Sequence, residues 1–231
     1  SGVLNNPVIA WQFSATQPTG AALDPFNAVN AGNGYYVGQI DRTCTGTATR
    51  TIDKYASDVN DEQDLGYGDL LCITQNTYSK DLVISGFPAG ATLQNANNIE
   101  LCFYFFAENM DNMDIWLEAP NGASVKLAYH NCGTVDGAWS VCLNQTAASS
   151  ITTNCPGANG TIGGTYTPYA SFAGLVGAPL NGTWKLKFQD DYCDGNGVWY
   201  YGSTLKLTYN QTYNVCTYNA HHGDLTIINN D

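Results

Sequence analysis

Apolar and polar residues alternate one by one through much of the second half of this chain, and a period of two admits strands and little else. In residues 183–188, Trp184, Leu186 and Phe188 fall on one face and Lys185 and Lys187 on the other. In residues 203–209, Leu205, Leu207 and Tyr209 oppose Lys206 and Thr208. A strand turns successive side chains to opposite faces, so such a segment offers one face to a core and one to water. The same reading picks out residues 82–87, 99–106, 114–119, 124–130 and 224–229, with weaker strands at 7–13, 34–40, 47–52 and 70–74. Asn-Gly pairs at 33–34, 121–122, 159–160 and 181–182 supply tight turns. Helical periodicity is nearly absent. Many short strands between such turns predict an all-β protein, a jelly-roll β-sandwich. Residues 133–172, rich in Ser, Thr, Gly and Ala, read as a long excursion between strands, and the acidic run 58–64 as a solvated loop.

Two of these segments carry more than a strand pattern. Residues 180–209 read LNGTWKLKFQDDYCDGNGVWYYGSTLKLTY, and 114–124 read DIWLEAPNGAS, with Pro120 and Gly122 closing a turn. Together with 81–101 they resemble the P domain (P/Homo B domain) of proprotein convertases and kexin-type proteases. In that family a Gly-Thr-Trp opens a strand, an Asp-rich loop turns it, and a last strand closes a jelly roll. The resemblance covers residues 81–210. It implies a P-domain-like jelly roll flanked by an N-terminal β extension, 1–80, and a C-terminal tail strand, 211–231. Here Trp199 stands earlier than the family's tryptophan and Gly202-Ser203 resembles an insertion. No subtilisin-type Gly-Thr-Ser accompanies the module, so the sequence reads as an accessory domain without its protease.

Composition narrows the function. A net charge of -12 argues against nucleic acid or an anionic membrane as partner. No apolar run is long enough to span a bilayer. Eight cysteines without a Cys-x-x-Cys pair argue for disulfides rather than zinc, and disulfides for an oxidising, extracellular compartment. Spacing suggests Cys132 with Cys142 as a local bridge. A first residue of Ser1 and the lack of a signal peptide fit a mature secreted chain.

Catalysis finds little support. There is no Gly-x-Ser-x-Gly elbow, and the histidines are His130 and the adjacent pair His221 and His222, which a strand would turn to opposite faces. The chain therefore reads as non-enzymatic. Two acidic loops are candidates for calcium, which takes six to eight oxygen ligands at about 2.3–2.6 Å. One holds Asp111 and Asp114, the other Asp190, Asp191 and Asp194. In the resembled family such loops meet at one end of the jelly roll. Asp and Asn also make ordinary turns. Trp199, Tyr200 and Tyr201 read as an aromatic loop tip on which a surface polysaccharide could stack, although clustered aromatics also build cores. Sequons mark Asn144, Asn159, Asn181 and Asn210 as glycosylation candidates, at the frequency chance supplies.

Both ends of the chain carry apolar strands: Val8, Ile9 and Trp11 in one, Leu225, Ile227 and Ile228 in the other. Each could complete its own sheet or enter that of a neighbouring copy. Taken together these features predict a secreted structural protein, the self-assembling subunit of an extracellular filament or surface layer, with copies of itself as partners. A carbohydrate-binding or adhesin module and an accessory fragment of a larger secreted protease are the alternatives.

Overall fold

The computed structural model describes residues 8–12, 29–30, 35–64, 77–190 and 197–220. The strands are β1 (Val8–Gln12), β2 (Val29–Asn30), β3 (Tyr35–Asp64), β4 (Tyr78–Ile84), β5 (Ile99–Ala107), β6 (Met113–Glu118), β7 (Ser124–Tyr129), β8 (Gly137–Asn144), β9 (Gly160–Tyr166), β10 (Gly182–Asp190) and β11 (Val198–Ala220). Helix among the described residues is confined to short 3-10 turns. The chain is all-β, as the alternation predicts.

Two compact units divide it. One gathers Ser1–Arg50 and Thr212–Asp231, the other Thr51–Gln211. In the first, β1 lies antiparallel to the start of β3, with Ile9 opposite Gly38 and Trp11 opposite Tyr36. In the second, one sheet runs in the order β3-β11-β5-β8-β9 and the other in the order β4-β10-β6-β7. The two sheets form a sandwich. From β3 onward most connections cross from one sheet to the other, and among the described strands β6–β7 and β8–β9 are the two consecutive pairs that stay within a sheet.

The core follows from the alternation. Leu101, Phe103 and Phe105 of β5 point inward with Trp139, Val141 and Leu143 of β8. Facing them are Ile115 and Leu117 of β6 and Trp184, Leu186 and Phe188 of β10. Phe105 meets Trp139 edge to face at 5.6 Å between ring centroids, and Phe188 tilts against Tyr200 at 5.6 Å. A buried tryptophan needs a partner for its N–H. Trp184 Nε1 donates to the Leu180 carbonyl at 3.2 Å, so the first core residue of β10 also ties down the turn before it. That turn is tight for a second reason. Gly182 has φ 133, and a Cβ there would lie 2.8 Å from Pro120. Asn181 clamps Phe87, accepting from its N–H at 3.0 Å and donating to its carbonyl at 3.1 Å.

Several expectations need correction. Residues 133–172 are not a strandless excursion: β8 pairs antiparallel with β5, and β9 pairs parallel with β8. The acidic run 58–64 lies in β3 rather than in a loop. Its Asp58 pairs with Lys80 at 2.6 Å and accepts from the Tyr200 hydroxyl at 3.2 Å. The Cys132–Cys142 bridge does not form. Cys102 bonds Cys142, and Cys132 bonds Cys155. The register explains it, because β5 and β8 place Cys102 and Cys142 directly opposite one another. Among the described residues there is no free cysteine. No helix of the described chain is long and apolar enough to cross a membrane. The predicted strand at 224–229 lies outside the described residues.

Candidate functional site

Two regions of the sandwich gather the residues singled out by the sequence: the end where the acidic loops lie, and the outer face of the sheet containing β5, β8 and β11.

At the end, β5 leaves the sheet at Ala107 and a 3-10 turn, Met110–Asn112, leads into β6. The turn is capped by Asn109, whose side chain accepts from the Asp111 N–H at 3.2 Å. Asp111 N–H also reaches the Gly133 carbonyl at 3.1 Å, and Met110 N–H the Val135 carbonyl at 3.1 Å. Antiparallel pairing of β6 and β10 sets Asp190 opposite Met113 and Gln189 opposite Asp114. Glu108 joins the far end of the second loop, since its carboxylate accepts from Gly197 N–H at 2.7 Å. The described ends of both acidic loops are thus neighbours. Asp191 and Asp194 lie outside the described residues.

Asp114 is engaged by a lysine. It lies buried on β6, on the face opposite Ile115, and its carboxylate pairs with Lys126 Nζ at 2.6 Å. That ammonium also lies 4.1 Å from the Tyr129 ring centroid and 5.0 Å from that of Trp116. A carboxylate neutralised by a lysine is a weaker ligand for a cation than one left to the metal. Among the described residues no three His, Cys, Asp or Glu side chains group as metal ligands. Asp111 and Asp190 alone fall short of a calcium shell of six to eight oxygens.

The aromatic run is not a loop tip. Trp199, Tyr200 and Tyr201 lie inside β11, paired with β5. Tyr200 points into the core, fully buried, and its hydroxyl shares a hydrogen bond of 2.7 Å with Ser203 Oγ. Burial raises its pKa well above the ordinary tyrosine value, and the nearby Asp58 carboxylate adds to the effect. Tyr200 is therefore a structural residue and not a platform for a ligand. Trp199 and Tyr201 point outward. Tyr201 stacks on Tyr104 at 4.4 Å between ring centroids, and Trp199 tilts against Phe106 at 5.5 Å. A β-bulge between Tyr200 and Gly202 makes this possible. The extra residue is Tyr201, while Gly202 and Ser203, read as an insertion, pair in register with Tyr104 and Phe103. Sequence reading missed Tyr104, whose place beside Tyr201 is set by strand register alone.

The sequons differ in setting. Asn159 is exposed, at φ 54 in the turn before β9. Asn144 accepts from Thr146 N–H and hydroxyl at 2.9 and 2.8 Å, and Asn210 accepts from the Thr51 hydroxyl at 2.9 Å. Asn181 is occupied at both ends of its amide by Phe87. Two of the outward lysines on β10 and β11 are paired: Lys187 with Glu118, and Lys206 with Asp53 at 3.4 Å. The Asp53 carboxylate holds the Lys206 pKa above its usual value.

No family model matches the chain, and no curated protein sequence matches it. Among solved structures, the chain is similar to the serine protease of Aeromonas sobria in complex with the chaperone ORF2. The TM-score is 0.35 at 11% identity, over 73% of this chain and 28% of that one. The same protease without the chaperone gives a TM-score of 0.33 at 11% identity, over 73% of this chain and 27% of that one. A structure of infectious bursal disease virus Gx strain gives 0.26 at 13% identity, over 90% and 45%. The chain spans about a quarter of the length of the protease chains. Likeness at this level assigns no activity.

Proposed function

We propose that this chain is a secreted, non-enzymatic structural protein, the self-assembling subunit of an extracellular filament or surface layer. The observation that carries the reading is the length of two strands. β3 and β11 run 30 and 23 residues, whereas the other strands of the sandwich run six to nine. Strands in globular proteins are usually about 5–6 residues long. A self-contained sandwich has no need of such strands. A subunit that pairs with its neighbours does, because each residue of an open edge offers main-chain donors and acceptors to a second chain. β1 stands at the end of its sheet, paired along one edge only among the described residues.

In this proposal Val8, Ile9 and Trp11, or Leu225, Ile227 and Ile228, carry the contact between copies. Donation in one direction is a heterologous contact, and such contacts give open filaments unless the rotation closes a ring. The disulfides suit an extracellular setting. Calcium at the end of the sandwich, held by Asp111 and Asp190 with Asp191 and Asp194, belongs to the same proposal as a stabilising ion. Negative-stain imaging of the concentrated protein tests it. Fibres or sheets that vanish when residues 224–231 are removed, with the sandwich still folded, are the expected result. A monomer at high concentration overturns the reading.

One observation favours a second reading, an accessory fragment of a larger secreted protease. The two stretches that resemble a P domain lie on β6 and β10, neighbours in one sheet, with Gly182 packed on Pro120. Mass spectrometry of the native secreted material separates the two: a longer polypeptide carrying a catalytic domain decides for the second.

A further inference from the structure

We propose that the outer face of the β8-β5-β11 sheet is a binding site for an uncharged oligosaccharide, independently of whether the chain assembles. Register builds the site in two rows. Tyr104 stands between Ser140 and Gly202, and Cys102 between Cys142 and Thr204. The bulge then adds Tyr201 beside Tyr104, their rings inclined by 25°. What results is a groove of about 310 Å³, within the range of small-ligand sites at its lower end. Its wall is the tyrosine pair, with Tyr104 40% exposed. The Cys102–Cys142 disulfide and Gly202 line it below. Gly202 has φ 146, a conformation side-chain-bearing residues avoid, so the bulge that seats Tyr201 also keeps that position free of a side chain.

The chemistry of the lining selects the ligand. Every residue of it is neutral, in a chain whose net charge is -12. No lysine or arginine is present to hold a sulfate, phosphate or carboxylate, and the field of the whole chain repels them. What the groove offers instead is aromatic surface beside hydroxyls. Ser140 is exposed, and Thr204 shares a hydrogen bond of 3.1 Å with Ser57. A pyranose has that same division, a C–H face that packs on a ring and an equatorial rim of hydroxyls that exchange hydrogen bonds. The Trp199–Phe106 pair continues the aromatic surface along the same two strands, so the face suits a chain of sugars better than a single one. A bulge that re-aims a side chain beside a groove is a built feature rather than a defect.

The test is titration of the full chain with short, soluble gluco-, manno-, xylo- and galacto-configured oligosaccharides, followed by calorimetry and by amide chemical shifts. At least one neutral series should bind, with shifts centred on residues 102–104, 140–142 and 201–204. Tyr104→Ala and Tyr201→Ala should each weaken it at least about tenfold, as expected for a central aromatic contact. Tyr104→Phe keeps the ring and should retain most of the affinity, which guards against misreading a folding defect. Tyr169→Ala removes a 51% exposed aromatic elsewhere and should change nothing. The proposal is overturned if no neutral series binds at millimolar concentration, if sulfated sugars bind more tightly than neutral ones, or if the Tyr104 and Tyr201 variants bind as well as the parent.

Discussion

Removing the Cys102–Cys142 disulfide, as a Cys102→Ala/Cys142→Ala double variant, should cost the sandwich about 3–4 kcal/mol. The bond spans 40 residues of sequence. Closing a loop of that size removes about 3.9 kcal/mol of unfolded-chain entropy at 25 °C in the chain-entropy model. The Cys132–Cys155 bond spans 23 residues, for which the same relation gives about 3.4 kcal/mol. The folded side of the balance changes little. Both half-buried cysteines sit in a β5–β8 ladder that Phe103, Phe105, Trp139 and Val141 hold from the core face. The loss should therefore come from the unfolded state, and it should appear in the folding rate and midpoint without a change in the native near-UV spectrum. Guanidinium unfolding followed by fluorescence of the buried Trp139 and Trp184 measures it, with the parent run in parallel under reducing and non-reducing conditions. A loss under about 1 kcal/mol, or a native spectrum that collapses in the variant, would refute the assignment of the effect to chain entropy.

Three further outcomes follow from single sites. Gly182→Ala should cost at least about 2 kcal/mol, because the new Cβ meets Pro120 at 2.8 Å and the backbone is strained; Gly90→Ala, also at positive φ but in open space, should cost clearly less in the same melt. The buried Tyr200 hydroxyl has a folded pKa above the unfolded value of about 10, so the unfolded chain loses its proton first and stability falls as pH rises beyond that point. Tyr200→Phe should flatten the decline above about pH 10, measured as midpoint against pH. A calcium chelator should lower the melting temperature if the loops at the sandwich end hold the ion, and Asp111→Asn with Asp190→Asn should abolish that response; an unchanged melt in both experiments counts against the site.

The strands that sequence made legible are those whose alternation reflects one buried face. β5, β6, β7 and β10 begin and end close to where Leu, Ile, Phe and Trp cease to alternate with polar residues. β8 alternates too, as Trp139, Val141 and Leu143, but its outward Ser140 and Cys142 and its small-residue flanks disguise it as loop. β9, Gly-Thr-Ile-Gly-Gly-Thr-Tyr, has no such pattern at all, and its parallel pairing with β8 is a tertiary effect. The same distinction holds for the sites. Clustered Asp residues at 111–114 and 190–194 can be seen in one dimension, and so can three aromatics in a row. That Tyr200 turns inward while Tyr201 meets Tyr104 depends on a bulge and a register between strands far apart in the chain, which no local pattern encodes.

The crossing of the chain between sheets has a temporal consequence. Leu82 of β4 pairs opposite Trp184 of β10, and the Asn181 clamp on Phe87 joins residues 94 positions apart. A chain delivered from its N-terminus must therefore present β4 long before its partner exists. Both disulfides can close earlier, since Cys155 emerges ahead of β10. Oxidation before β10 is delivered would leave Leu82 and Ile84 without the strand that pairs with them. Low sequence-local contact slows folding of this kind, and uncovered strand edges in the interval invite association with other chains.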